Sequence, residues 1–121
     1  MRVSHLGLPV RDPQRSAGFY AAYFGFDPAT AQRCPDGTVI VRDGDGFDLA
    51  LHAVETVGEA PEFLHFGFRL PEPEQVRALL RRMAAAGVRI VERDDEPAYT
   101  AFKCLDPDGH RVEVYWEPPA H

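Results

Sequence analysis

Cysteine is scarce in this chain, with Cys34 and Cys104 the two in 121 residues. Two cysteines cannot build the disulfide framework of a small secreted domain, so a cytoplasmic setting is expected. Long apolar runs are missing too. None approaches the roughly 18 residues that cross a bilayer, and the short mixed segment after Met1 lacks the apolar stretch of a secretory signal. Basic clusters are also absent. Thirteen Lys and Arg stand against 19 Asp and Glu, for a formal net charge of −6. That balance excludes neither fold nor catalysis, but it argues against nucleic acid and membrane surfaces as partners. What is present is ordinary for a folded domain. Hydrophobic residues make up 45% and charged residues 26%, which rules out a disordered or fibrous chain. The length suits one compact domain, or two very small ones, able to bury a core without staples. A small-molecule ligand or another protein is left as the expected partner.

The strongest pattern in the chain is a two-fold repeat. Segment Val3-Ser4-His5-Leu6-Gly7-Leu8-Pro9-Val10 has strand length and ends at Arg11-Asp12-Pro13. Segment Phe63-Leu64-His65-Phe66-Gly67-Phe68-Arg69-Leu70 matches it and ends at Pro71-Glu72-Pro73. His5 and His65, Gly7 and Gly67, and Pro13 and Pro73 are each separated by 60 positions. A helical pattern follows each strand: Phe19, Tyr20, Tyr23 and Phe24 before Gly25, then Val76, Leu79, Leu80 and Met83 before Gly87. Asp12-Pro13 and Glu72-Pro73 read as helix starts, and the two glycines as left-handed caps.

Three short strands are expected after each helix. The first set is about 26–33, 38–42 and 47–53, and the second about 88–93, 99–105 and 110–116, by the turn and alternation signals of strands. Asp36-Gly37 and Gly44-Asp45-Gly46 punctuate the first set; Asp94-Asp95-Glu96-Pro97 and Asp106-Pro107-Asp108-Gly109 break the second. The chain therefore reads as α+β, with two βαβββ modules at about 1–56 and 62–117.

Alternation along strands places particular residues on shared faces. Val3, His5 and Gly7 share one, as do Phe63, His65, Gly67 and Arg69. On the last strand Arg111, Glu113 and Tyr115 share one; an offset of 63 maps Glu113 onto Ala50, which shares a face with Asp48 and His52. Two equivalent halves give four equivalent slots: His5, Ala50, His65 and Glu113. Three are metal-ligand types. Two imidazoles and one carboxylate with open positions suit one divalent ion, iron, manganese, zinc or nickel, with room for a substrate. His52 lies about 7 Å further along its strand than Ala50. It is expected in the pocket as a catalytic base rather than as a ligand. Arg69, Lys103, Arg111 and Tyr115 are expected to bind substrate, with a rim salt bridge as the plainer role for the two arginines. Tyr99, Phe102 and Trp116 are expected in the core or a dimer contact, and Cys104 as a buried small hydrophobe.

These residues resemble the vicinal oxygen chelate superfamily, which includes glyoxalase I, extradiol dioxygenases, fosfomycin-resistance transferases and bleomycin-resistance proteins. The matching stretches run from His5 through Asp12, Ser16-Ala17-Gly18-Phe19-Tyr20, Phe24-Gly25-Phe26, His65-Phe66-Gly67-Phe68, and Asp106 through Glu113. The resemblance implies a half-barrel of paired modules around a metal, ligands at His5, His65 and Glu113, and a homodimer, often with a site shared between subunits. Departures narrow the chemistry. Ala50 stands where glyoxalase I-like members carry Glu or Gln, and Lys103 where extradiol dioxygenases place Tyr. Gly7 stands where fosfomycin transferases typically have a hydroxyl residue. The expected function is a metal-dependent enzyme, a dioxygenase, lyase or isomerase, acting on a small substrate with neighbouring oxygens. The alternative is a metal-free binder of an antibiotic or aromatic compound, of the bleomycin-resistance type.

Overall fold

The computed structural model describes residues 1–120. The chain divides into two compact units, one of Met1–Glu59 and one beginning at Ala60. The first unit runs β1 (His5–Val10), α1 (Pro13–Phe24), β2 (Asp27–Arg33), β3 (Val39–Arg42) and β4 (Asp48–Ala53). The second repeats the order with β5 (Phe66–Arg69), α2 (Pro73–Ala85), β6 (Ile90–Glu96), β7 (Tyr99–Leu105) and β8 (Arg111–Trp116). Each unit is one four-stranded mixed sheet with one helix. The sheet orders are β1-β4-β3-β2 and β5-β8-β7-β6, so the first strand of each unit lies parallel beside its last. The α+β class and both βαβββ modules are as the sequence predicts.

The helix ends follow from local chemistry. The Asp12 carboxylate accepts from the backbone N–H groups of Gln14 and Arg15, satisfying two donors that the first turn leaves unpaired. Glu72 and Gln75 form a reciprocal capping box at the start of α2. Gly25 at φ 75° and Gly87 at φ 84° adopt the left-handed conformation that closes each helix.

Helix and sheet meet through alternate residues. In the first unit Leu8, Val10, Leu49, Leu51 and Tyr20 are buried, while His5, Gly7, Pro9 and His52 are exposed. In the second, Val112, Val114, Phe102, Val76 and Met83 are buried, and α2 packs on β7 and β8. Each fully buried Leu, Val or Phe contributes about 1.5–3 kcal/mol. The opposite sheet face, with Arg111, Glu113 and Tyr115 on β8, is left open. Cys104 is fully buried, and burial, reinforced by the Asp106 charge, pushes its thiol up to about 12.

Three local expectations need correction. The acidic stretch Asp94-Asp95-Glu96 does not break the chain; it completes the edge strand β6, paired with Ala101, Thr100 and Tyr99. An edge strand tolerates charge, and the Arg77 guanidinium holds Asp95 at 2.9 Å. The turn falls instead at Pro97-Ala98. Strand β5 begins at Phe66, not at residue 63. Phe63 sits at φ 68°, the one non-glycine residue with positive φ among those described, and a left-handed residue cannot continue a strand. Strand β1 likewise begins at His5 rather than at residue 3. No helix among the described residues is long and apolar enough to cross a membrane.

Candidate metal centre

The second unit holds its two expected donors by different means. His65 stands just before β5, exposed. Its Nδ1 lies 2.7 Å from the Phe63 carbonyl oxygen. A carbonyl only accepts, so Nδ1 carries the proton and Nε2 keeps a bare lone pair. The left-handed turn at Phe63 aims that carbonyl two residues forward, so the backbone strain has a use. Glu113, half-buried in the middle of β8, sits in register with Gly67 on one side and Lys103 on the other. A Cβ built on Gly67 would meet the Glu113 Cβ at 3.3 Å and the Tyr115 ring at 3.5 Å. Glycine here keeps open the space in which the carboxylate moves.

Tyr99 secures the carboxylate. Its hydroxyl donates to Glu113 Oε2 at 3.2 Å, reaching back along the sheet past the small Ala101. Burial and then the Glu113 charge push the Tyr99 phenol up to about 12, so it remains a donor at any ordinary pH. Tyr99, expected in the core or a dimer contact, is half-buried and orients a candidate ligand. The available signal was its position on the same face as Lys103, whose partner across the hairpin is Glu113. Phe102 does enter the core, and Trp116 is half-buried.

The cations of this face are unequally free. Lys103 Nζ binds Glu92 at 2.7 Å, and that ammonium holds the Glu92 carboxyl below its ordinary value. Arg69 reaches the Glu117 carboxylate at 3.2 Å and its backbone oxygen at 3.0 Å, which is the rim salt bridge weighed as its plainer role. Arg111 is exposed on the same strand as Glu113, and its guanidinium has no acceptor among the described residues. Tyr115 is half-buried beside Gly67.

The first unit offers His5, exposed at the start of β1 and in register with Asp48. Its imidazole has no hydrogen-bond partner among the described residues, and the neighbouring Asp48 is occupied by Arg42 at 2.9 Å. The register confirms that Ala50 corresponds to Glu113, because Gly7 pairs with Ala50 as Gly67 pairs with Glu113. His52, two residues on, faces out over Gly7: a Cβ there would lie 3.2 Å from His52 Nε2. Its Nδ1 is 3.1 Å from the buried Thr38 hydroxyl. Neither Thr38 nor its neighbour Asp36 was singled out from the sequence, where Asp36-Gly37 reads as turn chemistry alone.

No group of three His, Cys, Asp or Glu side chains among the described residues is placed to hold a metal ion. The structure thus brings Glu113 together with Tyr99 and Gly67, and His52 with Thr38 and Gly7; His5 belongs to one unit and His65 and Glu113 to the other. The donor set nevertheless fits a divalent ion in kind: a bare Nε2 on an oriented imidazole, a second unencumbered imidazole, and a carboxylate held by a phenol.

The family described as the Glyoxalase/Bleomycin resistance protein/Dioxygenase superfamily matches residues 2–114. The chain is 28% identical to a trivalent organoarsenical cleaving enzyme of Bacillus sp. (strain MD1), over 96% of its own length and 73% of the relative's. It is also 28% identical to the glutathione transferase FosA of Serratia marcescens, over 93% and 79% of the two lengths. Among solved structures, a possible glyoxalase from Bacillus cereus superposes with a TM-score of 0.79 at 29% identity, covering 94% of this chain and 97% of that one.

Proposed function

The chain belongs to the glyoxalase/bleomycin resistance protein/dioxygenase superfamily, and from that premise we propose that it is a metal-dependent enzyme acting on a small substrate with two neighbouring oxygens. His5, His65 and Glu113 would hold one divalent ion, which supplies Lewis acidity toward those oxygens. The chain acts as a homodimer in this reading, as the family resemblance implies. The observation that carries the reading is the contact between His65 Nδ1 and the Phe63 carbonyl. Ligating histidines commonly place their second nitrogen on such an acceptor, and here a strained backbone turn is maintained to provide it.

The protein's own groups divide the remaining work. Tyr99 keeps the Glu113 carboxylate turned to one side and supplies a proton donor behind it. Arg111, with its guanidinium uncommitted, binds an anionic part of the substrate. Tyr115, beside Gly67, forms a wall of the substrate pocket. Lys103 and Arg69 contribute less directly, because Glu92 and Glu117 already neutralise them.

Neither named relative's chemistry transfers whole. A trivalent arsenical is a soft, thiophilic centre, and such a centre calls for thiolates. Of the two cysteines here, Cys104 is fully buried with its thiol raised to about 12, which leaves the half-buried Cys34 as a single thiol. A phosphonate such as fosfomycin calls for free cations, and two of the three on this face are paired. An uncharged or singly anionic substrate with adjacent oxygens fits better.

Metal analysis after anaerobic purification tests the reading. About one ion per chain is expected, and it is lost in His65→Ala. Metal-free protein that cannot be loaded with any of the four candidate ions would leave only the binding-protein alternative.

A further inference from the structure

The turn that leads into β5 carries apolar surface that the core of the second unit does not use. Phe63 is 79% exposed and Leu64 59%. Single apolar side chains on a surface need no explanation. Met1, Val3 and Val91, the other large apolar residues exposed among those described, are of that kind. Phe63 and Leu64 differ, because they are consecutive and immediately precede His65.

The backbone makes the choice of residue more pointed. The Leu64 N–H donates to the Pro61 carbonyl at 3.2 Å, closing a four-residue turn with Phe63 in its third position. Positive φ at that position ordinarily selects glycine or asparagine. Phe63 holds φ 68° there, although a Cβ makes the conformation costly. The oxygen that meets His65 Nδ1 at 2.7 Å is a backbone carbonyl. Glycine would present the same carbonyl without the strain. The contact to His65 therefore explains the turn, but neither it nor the core explains the benzyl group carried there.

On β8 the neighbour of this turn is charged. Phe66 pairs with Val112 and Gly67 with Glu113, so Arg111 comes next in line opposite His65. An apolar pair and a guanidinium thus flank one candidate ligand. Two side chains fall far short of the roughly 800 Å² per partner of a specific protein interface, but they match one phenyl group in size. We infer that Phe63 and Leu64 are specificity-determining residues that receive an apolar, preferably aromatic, substituent of the substrate. This rests on the proposed function and deepens it. The substrate class is a molecule with two neighbouring oxygens, an apolar group on a carbon bearing one of them, and at most one negative charge for Arg111. An aromatic ring gains ring-to-ring contact with Phe63 beyond the area it buries.

Calorimetry of the full-length, manganese(II)-loaded protein with benzohydroxamate and acetohydroxamate tests the inference. The probes share one pair of neighbouring oxygens and differ in a phenyl against a methyl group. Benzohydroxamate should bind about tenfold or more tightly. Phe63→Gly keeps the carbonyl at a φ that glycine adopts freely, so folding and manganese affinity should persist while the preference falls to about twofold or less. Phe63→Tyr should retain the preference, and Leu64→Ala should reduce it by a smaller factor than Phe63→Gly. Equal binding of the two probes by the unaltered protein, or a preference unchanged in Phe63→Gly, overturns the inference. Dissociation of a dimer into monomers by Phe63→Gly in sedimentation would assign the ring to a second copy of the chain and overturn it as well. Unaltered protein that takes up no manganese sinks the metal reading and this inference with it; manganese uptake without a phenyl preference sinks this inference alone.

Discussion

The two units share a backbone plan and divide the chemistry. Gly7 and Gly67 occupy matching positions, each opposite the central residue of the last strand of its unit. Beside Gly67 stand Glu113 and Tyr115; beside Gly7 the matching positions hold Ala50 and His52. The same vacancy of a side chain therefore serves a carboxylate in one unit and an imidazole in the other. Duplicated architecture fixes where polar groups can stand on the open sheet face. It leaves open which polar group each unit places there.

The largest expected effects concern what the units have in common. Phe102→Ala in the second core and Tyr20→Ala in the first should each cost about 3–5 kcal/mol in urea unfolding, because both rings are fully buried. A loss under 1 kcal/mol at either would break the equivalence of the two cores.

Next come changes that separate the units. Tyr99→Phe removes the donor to Glu113 and should weaken manganese(II) binding by about 10–100-fold, the usual cost of losing an outer-shell partner. Thr38→Val, deleting the hydroxyl beneath His52, should leave manganese affinity unchanged. Gly67→Ala should weaken manganese about tenfold by crowding Glu113, whereas Gly7→Ala should displace only the His52 ring. Calorimetric titration of the four variants reads all these effects together, and a reversed order would mean that the units have been assigned the wrong roles.

The smallest expected effect is electrostatic. Arg77 bridges Glu74 on its own helix and Asp95 on β6. Arg77 holds Asp95 below the ordinary carboxylate value, and Arg81 with Arg77 does the same to Glu74. Lowered folded-state values mean that their contribution is present above the ordinary carboxylate range and is lost as pH falls through the folded values. Arg77→Ala should therefore flatten the acid limb of a stability–pH curve while changing stability near neutrality only slightly, since these groups are exposed.

Much of this was legible in the sequence, for stated physical reasons. Helix starts at Asp12-Pro13 and Glu72-Pro73 and closing glycines at 25 and 87 are local chemistry, and local chemistry reads directly from sequence. The repeat then supplied the non-local correspondence of Ala50 with Glu113, which strand register bears out. Contacts that depend on reach were not legible. Tyr99 meets Glu113 along the sheet past Ala101, and the Phe63 carbonyl meets His65 at a left-handed turn in a residue type that rarely adopts one. Acidic residues 94–96 read as a break because the Arg77 that pairs with Asp95 comes from another element.

Manganese(II) binding followed by electron paramagnetic resonance, in the unaltered protein and in His5→Ala, His65→Ala and Glu113→Ala, tests the central claim most directly. One ion per chain should bind the unaltered protein, and each substitution should weaken it by more than about 100-fold, beyond the cost of losing an outer-shell partner. Full manganese affinity in any one of the three would show that residue to lie outside the metal centre.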